Sequence, residues 1–80
     1  MDDVEIVRRI GELADEERRL ESSRTGGGIS DEDHARLRGL EVALDQCWDL
    51  LRQRRARRAV GQDPDEAEVR PENVVEGYRQ

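Results

Sequence analysis

The chain has no phenylalanine and no lysine, a single cysteine, a single histidine, and only two aromatic residues, Trp48 and Tyr78. With so few aromatics, and with 34% of 80 residues apolar against 42% charged, it cannot build a large private core. Cys47 alone excludes an intrachain disulfide. With His34 also alone, no Cys/His set has zinc-ligand spacing, so neither metal nor cofactor is expected. No apolar run approaches the length of a membrane span, and the start Met1-Asp2-Asp3 alternates charged with apolar residues unlike a signal peptide. The cytoplasm is therefore the expected address, with no membrane partner. The fourteen basic residues are all arginine, a usage that reads mainly as coding bias.

What is present is period. Ile6, Ile10, Leu13, Glu17 and Leu20 recur at alternating steps of four and three, one helical stripe with a heptad seam, over a helix of about residues 3–23. Asp2 or Asp3 caps its start, and Glu5–Arg9 and Asp15–Arg19 stand in the favourable acid-first i,i+4 order. Gly26-Gly27-Gly28 breaks the pattern and implies a turn over 24–29. With no strand before it and no Gly-Lys-Ser/Thr ending, it is not a phosphate loop. Ser30 to Asp33 forms a capping-box variant that opens a second helix of about 30–60. Its seam runs Leu37, Leu40, Leu44, Cys47, Leu51, Arg54, Arg58, with Val42, Trp48 and Leu50 beside it, and Gly61 and Pro64 mark its stop.

Folding the chain at the glycines tests this assignment, because facing residues of an antiparallel pair have sequence numbers of constant sum. With a sum of 57, Leu20 meets Leu37, Glu17 meets Leu40, Leu13 meets Leu44, Ile10 meets Cys47 and Ile6 meets Leu51; the next layer sets Asp3 against Arg54. The expected fold is all-α: a coiled-coil-like antiparallel two-helix hairpin over 1–61, dimerising into a four-helix bundle, followed by an acidic, proline-containing tail over 62–80. The tail's only apolar handles are Val69, Val74, Val75 and Tyr78, which either dock on a neighbouring helix or form a short helical turn from Pro71.

Catalysis needs a pocket, which two helices do not enclose. His34 lies off the seam in a first turn, and Cys47 reads as a small buried hydrophobe rather than a nucleophile. No catalytic residue, no small-molecule substrate and no enzymatic activity are expected. Two features resist so bland a reading. Trp48, beside the seam, would leave a large apolar area wet unless another chain or the Val74–Tyr78 segment covers it. Together with Leu44, Cys47 and Leu51 it is the expected interface, most simply with a second copy of the chain. The other feature is a basic cluster at the far end from the turn: Arg52, Arg54, Arg55, Arg57 and Arg58. Residues 49–60 carry net +4 and residues 61–80 net −4, so pairing of these arginines with the tail is expected ahead of an acidic protein partner, and both ahead of nucleic acid, against which the overall charge of −6 counts.

The run Leu40 to Ala56, with Cys47-Trp48-Asp49-Leu50-Leu51-Arg52-Gln53-Arg54-Arg55 at its centre, then Gly61-Gln62-Asp63-Pro64-Asp65 and Arg70-Pro71-Glu72 through Tyr78, resembles a family of small actinobacterial proteins known as domain of unknown function 2630. The resemblance spans essentially the whole chain. It implies a compact actinobacterial cytosolic protein whose C-terminal segment belongs to the domain, and it carries no activity or catalytic residue across.

Overall fold

The structure, a computed structural model, describes residues 1–22 and 30–76. Within them, α1 spans Asp3–Ser22, α2 spans Asp31–Ala59, a 3-10 turn spans Pro64–Glu66, and α3 spans Glu72–Glu76. No strand occurs among the described residues, and the two long helices pack against each other. The glycine turn expected at 24–29 lies outside the described residues, as does Tyr78.

The start of α1 and both ends of α2 are closed by their own sequence. At α1 the Asp2 carboxylate accepts from the backbone N–H of Glu5 at 2.8 Å, and the Glu5 side chain reaches back toward the Asp2 N–H at 3.5 Å. Ser30 Oγ accepts from the Asp33 N–H at 3.1 Å and caps α2. The far end of α2 stops on Gly61, whose φ of +77° a β-carbon would disfavour. There the Gln62 N–H donates to the Arg57 carbonyl at 2.8 Å and the Gly61 N–H to the Arg58 carbonyl at 3.2 Å, the crossed pair of a Schellman stop.

The seam packs as its register requires. Ile6, Ile10 and Leu13 of α1 and Leu37, Leu40 and Leu51 of α2 are buried, with Leu44 and Cys47 half-buried against them. In the Asp3 layer, Arg54 Nε donates to Asp3 Oδ1 at 2.6 Å across 51 residues of sequence. On the exposed side of α1, Arg9 pairs with Glu12 at 3.7 Å and Arg18 with Asp15, in place of the expected Glu5–Arg9 and Asp15–Arg19 pairs. Glu5 is drawn into the cap, and solvated partners of this kind differ too little in energy for sequence spacing to choose between them.

α2 buries a residue on a second side as well: Asp49 lies outside the seam stripe, whereas Leu50, beside the seam, joins the Ile6, Ile10 and Leu51 cluster. This second side is covered by residues 62–76, where both the 3-10 turn and α3 contact α2. Being packed from two directions, α2 has no single apolar face, which is why its sequence looks weakly amphipathic outside the seam. Val75 of α3 is buried, and Ala67 packs on the Ile6–Leu51 cluster. The chain therefore adds a third layer to the hairpin from its own C-terminal segment.

Candidate functional site

The C-terminal segment is held on α2 by polar groups more than by apolar ones. Asp49 is 1% exposed, although it sits between Trp48 and Leu50 in the middle of a helix. Its carboxylate accepts from Arg70 Nε at 2.9 Å, from Arg70 Nη2, and from Gln53 Nε2 at 3.0 Å. The Arg70 guanidinium holds the Asp49 carboxyl below the usual carboxylate range, against burial, which pushes it up. Gln53 Nε2 also donates to the Glu68 carbonyl at 2.9 Å, and Gln46 Nε2 to the Arg70 carbonyl at 3.3 Å. Two glutamines about two helical turns apart thus bind extended backbone much as a neighbouring strand would. Arg38 and Glu72 complete the contact at 3.8 Å.

The basic cluster divides. Arg54 is 6% exposed and is fully engaged by the chain itself: besides Asp3, its Nη1 donates to Asp65 Oδ1 at 2.8 Å and to the Pro64 carbonyl at 3.2 Å. Arg58 joins Asp3 through both of its terminal nitrogens, one at 3.2 Å, and Arg57 reaches Glu66 at 3.5 Å. The two arginines on Asp3, Arg58 foremost, lower its pKa from 3.8 to about 2, and Asp3 and Asp65 in turn raise that of Arg54. Arg52 and Arg55 are exposed, with no ion pair among the described residues.

The expected interface set divides too. Leu51 is wholly inside the hairpin, and Leu44 and Cys47 are half-buried within it. Burial pushes the Cys47 thiol up, with Arg9 acting weakly the other way. Trp48 is 45% exposed. It forms one wall of an open groove of about 620 Å³ between α2 and the C-terminal segment, shared with Asp49, Arg52, Arg70 and Val75. His34 is exposed near the start of α2.

Beside Trp48 on the same side of the hairpin lies an acidic neighbourhood. Glu17 takes the one polar position of the α1 stripe from Ile6 to Leu20, and desolvation, then Glu21, Glu41 and Asp45, push its carboxyl up. No group of three or more His, Cys, Asp or Glu side chains among the described residues is arranged to hold a metal ion. Likewise no described helix is long and apolar enough to cross a membrane.

Sequence reasoning missed the Asp49–Arg70 clasp. Its one signal was Arg70, an isolated cation within an acidic segment, with a carboxylate in an apolar stretch of helix to receive it.

Fold and site define a class: a two-helix hairpin whose C-terminal segment closes back on α2 through a buried Asp–Arg pair. The match to a family model, "Protein of unknown function (DUF2630)", covers residues 2–80, and the chain belongs to that family. Similar proteins include an uncharacterized protein of Mycobacterium bovis and uncharacterized proteins from two strains of Mycobacterium tuberculosis. Each is 53% identical over 77 residues, covering 95% of this chain and 88% of the relative. No solved structure matches the chain.

Proposed function

We propose that this protein is a non-enzymatic protein–protein interaction module, a helical hairpin that pairs with a second copy of itself to form a four-helix bundle in the cytoplasm. The observation that carries this reading is Trp48: it stays 45% exposed after the C-terminal segment has docked, with Val7 at 54% and Val4 at 68% also in solvent. A tryptophan brings roughly 150–250 Å² of contact area, so about 100 Å² of this one remains wet in the single chain. By helical phase the two valines fall on the same side of the hairpin as Trp48, and a chain with so few large apolar residues gains most by covering the ones it has.

Arg54, Arg57 and Arg58 are engaged by Asp3, Asp65 and Glu66, which leaves two of the five clustered arginines for a polyanion. That weighs against nucleic acid as the partner. A titration of the full chain with duplex DNA or RNA at low salt tests the point, since phosphate binding by even a few arginines responds steeply to salt.

Sedimentation equilibrium of the full chain and of Trp48→Ala tests self-association. The wild type is expected to sediment as a dimer, and Trp48→Ala as a folded monomer. A folded, monomeric wild type at submillimolar concentration sinks the reading.

A further inference from the structure

The hairpin has an outer side formed by both long helices. With about 100° of rotation per residue, positions roughly a quarter-turn from the seam on that side are Val7, Gly11 and Ala14 on α1, and Glu41, Trp48, Arg52 and Arg55 on α2, with Val4 at the margin. Val4, Val7, Gly11, Glu41, Trp48, Arg52 and Arg55 are exposed, and Ala14 is partly so. At Gly11 an added β-carbon would meet nothing within 4 Å. Charge along α2 changes sign at the tryptophan, with Glu41 on the turn side and Arg52 and Arg55 on the other.

The geometry points to an antiparallel, face-to-face dimer whose twofold axis crosses the hairpin at Trp48, so that each α2 lies along its copy in the partner. This rests on the self-association proposed above and adds its geometry. A twofold axis perpendicular to the helices pairs positions whose numbers have a constant sum on each helix. With Trp48 on the axis, Glu41 meets Arg55 of the partner subunit, opposite charges in both symmetry-related layers.

α1 gives an independent check. The hairpin register that joins Asp3 to Arg54 places position 9 of α1 level with Trp48. The same axis must then set Val7 against the partner's Gly11, and Val4 against the partner's Ala14. In both layers a branched side chain meets a small one, the alternation that lets two helices interdigitate. The acidic neighbourhood of Glu17 and Glu41 gains cations from the partner's Arg52 and Arg55, which the single chain leaves in solvent. Turning the copy instead about an axis parallel to the helices would lay α2 on the partner's α1, and neither set of layers would form.

The test uses the full chain and four proteins: wild type, Arg55→Glu, the double variant Glu41→Arg/Arg55→Glu, and Gly11→Leu, each by sedimentation equilibrium and circular dichroism. Arg55→Glu sets like charges opposite each other twice per dimer and is expected to weaken association about tenfold or more. Reversing both signs restores the layer, and the double variant returns to within about threefold of wild type. Gly11→Leu fills space that is open in the single chain and improves helix propensity, so the monomer folds as well or better while the dimer dissociates. A dimeric wild type whose affinity ignores Gly11→Leu, or is not restored by reversing both charges, overturns this arrangement and leaves self-association standing. A monomeric wild type overturns both.

Discussion

Replacing Asp49 by alanine should release the C-terminal segment from α2 while leaving the hairpin folded. Three hydrogen bonds end on this carboxylate, two from Arg70 and one from Gln53. Hydrogen bonds to charged groups contribute about 1.5–3 kcal/mol each when neither side can recover water. Here recovery is partial, because the Arg70 side chain is 34% exposed and Gln53 keeps the Glu68 carbonyl. The expected net cost is therefore about 2–3 kcal/mol rather than the full sum. At about 1.4 kcal/mol per factor of ten, the docked-to-undocked ratio of residues 62–76 falls roughly 30- to 150-fold. Native-state hydrogen exchange reads this directly. The Val74 and Val75 N–H groups donate to the Pro71 carbonyl at 3.0 and 3.1 Å, and the Ala67 N–H to that of Pro64 at 3.1 Å. These amides should lose protection by that factor, while amides of α1 opposite Leu44 and Leu51 hold theirs. Arg70→Ala should do the same, and in the double variant the two losses should overlap, with a coupling of about 1–2 kcal/mol. Simple additivity, or unchanged exchange at Val75, would refute the idea that this pair fastens the segment.

Acidification should act in two opposite stages. Asp3 and Asp49 have carboxyl pKa values lowered by arginine, so their stabilisation is complete above the ordinary value of 3.8 and is lost as pH falls from there toward about 2, where Asp3 titrates in the folded chain. Glu17 is raised above its ordinary 4.5, so its ionised form opposes folding at neutral pH, and protonating it on the way down adds stability before the loss begins. A pH series of thermal melts should show that early gain disappear in Glu17→Gln and the later loss become smaller in Asp3→Asn. Glu17→Leu should stabilise the chain by about 1 kcal/mol at neutral pH, half of a full leucine burial because the position is half-buried, and raise the melting temperature by about 4–8 °C. A lower melting temperature would mean that the Glu17 layer is not part of the packed seam. The Cys47 thiol, raised by burial, should react with a disulfide reagent at pH 8 at least about tenfold more slowly in the folded chain than in denaturant, and equal rates would place it in solvent.

Arg54 and Asp3 show how far local pattern reaches. Heptad spacing defined the inward stripe of each helix, and matching two stripes end to end placed these residues in one layer across 51 positions, where a hydrogen bond of 2.6 Å joins them. The helix ends were equally legible, since the capping of Asp2 and Ser30 and the stop at Gly61 depend on residues within a turn of each boundary. Other contacts needed the third dimension. Asp49 finds Arg70 at a separation of 21 residues through a segment with no periodicity, so the composition of the two neighbourhoods hints at the pair but no register fixes it. Arg54, Arg57 and Arg58 looked alike in sequence to Arg52 and Arg55. Their engagement depends on where the 3-10 turn carries Asp65 and Glu66. Sequence by itself determined the helices, their caps and their register, because these follow from steps of three and four residues along one chain. Only the tertiary structure decided which charged groups are buried and paired and which remain in solvent, because a long side chain can reach several partners and the path of the backbone chooses among them.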